Sequence, residues 1–191
     1  MDLTIHTPGT APERSKPIAA DSLERYGFLP NLHGIMAESP VMYEIYRQTG
    51  ATFARRTLSA LERQIVLRAI DYENECHHCM AVHSPIATRE RIPGAILSAL
   101  RHGDPLADPK LETLRSFAAA MTRTRGQVGQ AELDRFEAVG YTRENLLEAI
   151  VAIGYEVLGN DIDHVAATPL DAAFEAYAWS KLEPGQQADA A

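Results

Sequence analysis

Apolar residues recur three and four positions apart along most of the chain, and no run alternates apolar with polar residues as a half-buried strand would. The spacing predicts helices near residues 20–25, 40–55, 60–72, 76–89, 94–101, 109–123, 130–138 and 143–165. Their starts are punctuated. Ser39-Pro40 and Asp108-Pro109 each place a capping side chain before a proline suited to the first helical turn. Ser59 and Glu62 have the form of a capping box, in which the glutamate reaches back to the backbone amide of the cap. Helix 60–72 carries Ile65, Val66, Leu67, Ala69 and Ile70, apolar on more than one face, and segment 146–158 is similar. Such helices belong at the centre of a bundle or across a subunit interface. The pattern therefore predicts an all-α fold.

The ends differ from this core. Pro8, Pro12 and Pro17 stand among small polar residues, so residues 1–18 are expected to form an extended arm able to reach a neighbouring subunit. Residues 183–191 read as a flexible tail, which leaves a single helical domain over 19–182. Composition fits that reading: 191 residues with 46% hydrophobic and 23% charged side chains suffice for one buried core.

A formal net charge of −8 argues against a nucleic-acid partner, which needs a basic face. The most apolar stretch, Leu146 to Leu158, is interrupted by Glu148 and Glu156, so no membrane span is expected. The first residues, Met1-Asp2-Leu3-Thr4-Ile5-His6, lack the basic and apolar regions of a secretory signal, and a cytoplasmic location is the expectation.

That location bears on the chemistry, because the only two cysteines stand three residues apart in Glu75-Cys76-His77-His78-Cys79-Met80-Ala81-Val82-His83. In a reducing compartment a close pair is catalytic, redox-sensing or metal-binding more often than structural. On a helix beginning at 76, Cys76, Cys79 and His83 share one face, and His83 stands one turn beyond Cys79 as its natural base. Cys76, at the helix start, has its thiolate favoured by free backbone amides and the helix dipole. Zinc is the competing reading, with Cys76, Cys79 and His83 as three ligands and His77, Glu75 or His164 as a fourth; two cysteines buried as small hydrophobes are another. His164 and Asn160, one turn apart on the last helix, are further candidates to face the cysteines. Trp179, Tyr43 and Tyr46 read as core or interface.

Cys-x-x-Cys-x-x-x-His after an apolar helix resembles the carboxymuconolactone decarboxylase and alkylhydroperoxidase D superfamily. Tyr26-Gly27-Phe28-Leu29-Pro30-Asn31, Asn160-Asp161-Ile162-Asp163-His164 and Thr168-Pro169-Leu170-Asp171 are similar to its peroxidase-related subgroup. The resemblance covers about residues 24 to 175. It implies an all-helical bundle, assembly into dimers, trimers or hexamers of one chain, and reduction of organic hydroperoxides by the cysteine pair. No cofactor is implied, only an external dithiol that resets the disulfide. By position, Cys79 matches the cysteine attacked by peroxide, Cys76 its resolving partner, His83 the proton-relay histidine and His78 a second active-site histidine.

One relay position departs from the family pattern. The expected glutamate twelve residues before the first cysteine is Gln64, which can orient His83 but holds no charge and passes no proton. Glu62 is committed to capping, and Glu73 and Glu75 can substitute only if the turn folds them inward. The expectation is thus a thiol peroxidase-like oxidoreductase. Its alternatives are disulfide exchange or redox sensing with little peroxide turnover, the decarboxylase or lactonase branch, and a metal-binding or structural helical oligomer.

Overall fold

Short polar side chains start the principal helices. Ser39 accepts the Met42 amide, Ser59 and Glu62 close a capping box, Asp108 accepts two amides, and Thr142 pairs with Asn145. The computed structural model describes residues 2–181, and among them the chain forms helices with no strand. In order these are α1 (Lys16–Tyr26), α2 (Asn31–Met36), α3 (Pro40–Phe53), α4 (Ala60–Asn74), α5 (His77–Arg89), α6 (Gly94–His102), α7 (Pro109–Thr124), α8 (Gln130–Ala138) and α9 (Arg143–Ala166). A 3₁₀ helix follows at Ala172–Tyr177.

Seven of the eight helices expected from spacing begin and end within two residues of their predicted limits; the first starts earlier, at Lys16. Pro17 stands in its first turn, where its missing amide hydrogen costs nothing. Helix α2 was invisible to periodicity because six residues give fewer than two turns, and all but Asn31 are buried. The expected arm lies against its own chain: residues 7–11 turn back, Ala11 and Ser15 are buried, and the His6 amide donates to the Gly34 carbonyl. Gly34 permits that approach, since a Cβ there would meet the His6 carbonyl oxygen at 2.7 Å. The tail at 183–191 lies outside the described residues.

Helix α4 occupies the centre, packed on α7 and α9 with α5 and α6 flanking it. Its residues Ile65, Val66 and Ile70 meet Leu114, Phe117 and Phe136 in the main apolar core. A smaller cluster joins α1, α2 and α3 around Tyr43. Helix α9 divides its apolar residues: Ala149 and Ala152 are buried, whereas Leu147, Ile150 and Val151 stay exposed. No helix of the described residues is long and apolar enough to cross a membrane.

Candidate active site

The link between α4 and α5 fixes the first cysteine. Glu75 takes a left-handed conformation with φ of 56°, and the Cys76 amide bonds back to the Asp71 carbonyl at 3.0 Å. Cys76 then caps α5, its sulfur accepting the Cys79 amide at 3.2 Å. The two cysteines are joined as a disulfide with Cα atoms 5.4 Å apart. Cys76 is fully buried, while Cys79 lines a cavity of about 240 Å³ together with His78, His83 and Glu156. Cys79, unlike the fully buried Cys76, thus faces a space that a small molecule can enter.

Two buried polar stripes meet behind that sulfur. On α4, Gln64, Arg68 and Asp71 recur at four- and three-residue spacing; on α9, Glu156, Asn160 and Asp163 do the same. His83 Nε2 lies 3.0 Å from Glu156 Oε1, and His83 Nδ1 has no partner. One carboxyl oxygen of Asp71 lies within 4.8 Å of both sulfurs, and one within 4.8 Å of His83 and Glu156, so Asp71 stands between the dithiol and the histidine. Asn160 donates to Asp71 at 3.0 Å and is itself held by Asn74. Asp163 Oδ2 lies 3.4 Å from Cys76 Sγ, placed to accept the thiol hydrogen once the disulfide is reduced.

Burial sets the proton balance here. It holds the His83 imidazole down to about 4, with the cations Arg68 and Arg63 adding to the effect. It pushes Glu156 up to about 7, and pushes Asp71 well above the usual carboxylate range, where the adjacent Glu156 carboxyl adds to the effect. At neutral pH the site therefore holds a neutral imidazole against a carboxyl poised between its two forms. Such a pair can take up or release a proton with little change in free energy.

The remaining candidates separate clearly. His78 is buried on the cavity wall, 3.9 Å from Asp163, and burial lowers its pKa. Gln64 does not reach His83; its amide donates to Glu90 at 2.8 Å, and Glu156 takes the place beside the imidazole. Glu62 caps α4, Glu73 pairs with Arg123 and Glu75 with Lys181, so none of the three enters the site. His164 is exposed beside a second cavity lined by His77, His78 and Trp179, yet a ring nitrogen lies within 4.8 Å of Cys76 Sγ and of an Asp163 carboxyl oxygen, so it does face the first cysteine. The set that the sequence offered to zinc is assembled only in part: Asp71 joins the two sulfurs, Asp163 and His164 join Cys76, and Asp71 with Glu156 joins His83, but no three-donor group holds His83 with both cysteines among the described residues.

Glu156 and Asp71 were the residues missed from sequence, and Asp163 entered there only as part of a flanking motif. Their signal was present as acidic positions repeating along one face of otherwise apolar helices, where burial forces a partner. The flanking motifs also meet in space: Asn31 donates to Asp171 through its backbone and to the Pro169 carbonyl through its side chain.

No protein-family model matches the chain, and no curated protein matches it in sequence. Solved structures do. A peroxidase-related protein of uncharacterized role from Silicibacter sp. TM1040 superposes with a TM-score of 0.76 at 19% identity, over 91% of this chain and 92% of that one. An alkylhydroperoxidase AhpD core, also an uncharacterized peroxidase-related protein, from Ralstonia eutropha JMP134 gives 0.77 at 15%, over 90% and 92%. The debrominase Bmp8, solved with 2,3,4-tribromopyrrole, gives 0.70 at 17%, over 86% and 89%. With its central α4, its cysteine-bearing α5 and its closing α9, the chain has the all-helical fold of the alkylhydroperoxidase D-like proteins.

Proposed function

We propose that this protein is a thiol-dependent peroxidase that reduces organic hydroperoxides through Cys79. The observation that carries the reading is the position of Cys79 on the cavity wall, with Cys76 buried behind it and the His83–Glu156 pair beside it. In the reduced protein, neutral His83 takes the Cys79 proton at Nδ1 and passes its Nε2 proton to Glu156. The thiolate attacks the outer peroxide oxygen; the S–O bond forms, the O–O bond breaks, and the departing alkoxide takes the stored proton to leave as an alcohol. Cys76, its thiol hydrogen held by Asp163, then displaces water from the sulfenic acid and closes the disulfide. An external dithiol returns two electrons and two protons. Asp71, protonated between the sulfurs and Glu156, keeps a second negative charge away from Glu156 as that group takes up the proton.

The test uses Cys76→Ser and Cys79→Ser proteins treated with cumene hydroperoxide and a sulfenic-acid trap, read by mass spectrometry. Trapping on Cys79 in the Cys76→Ser protein is expected. Trapping only on Cys76 in the reciprocal variant reverses the roles.

The aromatic walls of the cavity, Tyr26, Phe28, Tyr46, Tyr155 and Phe174, favour a second reading, reductive debromination of an aromatic ring. There the Cys79 thiolate takes the bromine, the ring carbon takes a proton, and Cys76 displaces bromide to form the disulfide. Bromide release from tribromopyrrole by the reduced protein, one ion per disulfide formed, distinguishes it. The exposed Leu147, Ile150 and Val151 support assembly of several copies, which light scattering measures.

A further inference from the structure

The cavity at Cys79 does not end at the sulfur. A cleft of about 450 Å³ adjoins it, and both spaces are walled by Arg25, Tyr26, Tyr46, His83, Arg89 and Tyr155. Five arginines line the outer cleft, Arg25, Arg47, Arg56, Arg63 and Arg89, against a single carboxylate, Glu90. On a chain of net charge −8 that concentration of cations runs against the overall balance. Two of the five are neutralised: Arg47 pairs with Asp21, and Arg63 with Glu90. The second oxygen of Glu90 accepts the Gln64 amide at 2.8 Å. Arg25, Arg56 and Arg89 have no carboxylate within ion-pair reach among the described residues.

The cations also crowd one another. Burial lowers the Arg63 pKa and the neighbouring Arg56 lowers it further, while the Nε–H groups of both lack an acceptor among the described residues. An anion entering the cleft relieves that repulsion and supplies the missing acceptors. The wall shared by the two spaces is aromatic, with the Tyr46 and Tyr155 rings stacked at 4.6 Å. Gly50 on α3 makes room for that stack, since a Cβ there would sit 3.1 Å from the Tyr155 ring. A ligand that fits this sequence of surfaces has a hydroperoxide at one end, an apolar body, and an anionic group at the other.

We propose that the arginine-lined cleft selects hydroperoxides that carry a carboxylate on an aromatic or aliphatic body. This rests on the peroxidase reading for the reactive end and on the cleft alone for the anionic end. The carboxylate docks on Arg25, Arg56 and Arg89, and the apolar body lies along Tyr26, Tyr46 and Tyr155. The peroxide oxygens are thereby presented to Cys79 beside His83. A neutral hydroperoxide keeps the apolar contacts and loses the anchoring.

The experiment compares cumene hydroperoxide with its para-carboxylate analogue, following thiol loss in the reduced protein. The carboxylated compound is expected to give a kcat/KM higher by about tenfold, through KM, with the advantage shrinking as salt is raised. In an Arg25→Gln, Arg89→Gln double variant, both positions being exposed, the ratio of the two substrates is expected to fall toward one. Equal kcat/KM values in the unaltered protein overturn the carboxylate proposal and leave the peroxidase reading standing. A separate arm measures calorimetric binding of 4-isopropylbenzoate, which has no peroxide bond. Arginine-dependent binding of that compound, with neither hydroperoxide consuming thiols, sinks the peroxidase reading and keeps the anion site. Absence of binding, or binding unchanged in the double variant, overturns the site itself.

Discussion

Helix α4 presents two buried faces that obey different rules. One carries Ile65, Val66, Ala69 and Ile70 into the apolar core against α7 and α8, where burial itself is the stabilising term. The other carries Gln64, Arg68 and Asp71 against α5 and α9, equally hidden from solvent, where burial is a cost that neighbouring groups must offset. Among the described residues Arg68 donates only to the Met80 sulfur and the Ser84 hydroxyl, and one carboxyl oxygen each of Asp71 and Glu156 has no hydrogen-bond donor when both are ionised. The apolar face stabilises the fold. The polar face holds ionisable groups away from their ordinary protonation and so prepares them for proton transfer.

The contrast is sharpest for variants that act on one face alone. Ile70→Ala should destabilise the fold by about 2–5 kcal/mol, measured by urea unfolding, because it leaves a cavity in a packed core. Once folded, it should consume peroxide as the unaltered protein does. Glu156→Gln should do the reverse, lowering the rate about 100-fold through loss of the proton acceptor while the protein stays folded. A Glu156→Gln protein that reacts at the normal rate would remove the relay assigned to it.

Gln64→Glu puts a second carboxylate against Glu90 rather than beside His83, so it should cost about 1–3 kcal/mol of stability and bring no gain in peroxide rate. A faster Gln64→Glu enzyme would restore that position to the relay.

The comparison can also be broken through the way stability depends on pH. His83, held down to about 4 against an ordinary 6.5, is neutral in the folded chain where the unfolded chain protonates it. Its stability contribution is complete above about 6.5 and is lost as pH falls toward 4. Glu156, raised to about 7 from 4.5, keeps a proton that the unfolded chain releases. Its contribution is complete below 4.5 and is lost as pH rises through 7. The Glu156→Gln protein lacks that loss, so relative to the unaltered chain it should gain stability between pH 5 and 7. A pH-independent difference would mean that Glu156 is not the displaced group.

The helices were legible in the sequence wherever a cap and two or more turns of periodic apolar residues coincided. Ser59 with Glu62 marked the start of α4, and the structure places that start at Ala60. The short α2 and the folded-back residues 7–11 were not legible, because their conformation follows from contacts with distant residues such as Gly34 with His6.

The candidate site divides in the same way. Cys76, Cys79 and His83 are local: their spacing at the start of one helix brings them to one face whatever the rest of the chain does. The partner of His83 is not local. Gln64 stands at the relay position by sequence distance, yet its side chain turns to Glu90, and the carboxyl at the imidazole comes from Glu156, 73 residues away. Within one helix, 3.6 residues per turn fix which side chains are neighbours, and a sequence states that directly. Between helices, the meeting of two side chains depends on how far each helix is rotated and slid against the next. Packing decides that, and so only the tertiary structure could bring Glu156, Asp71 and the arginines of the cleft to the dithiol.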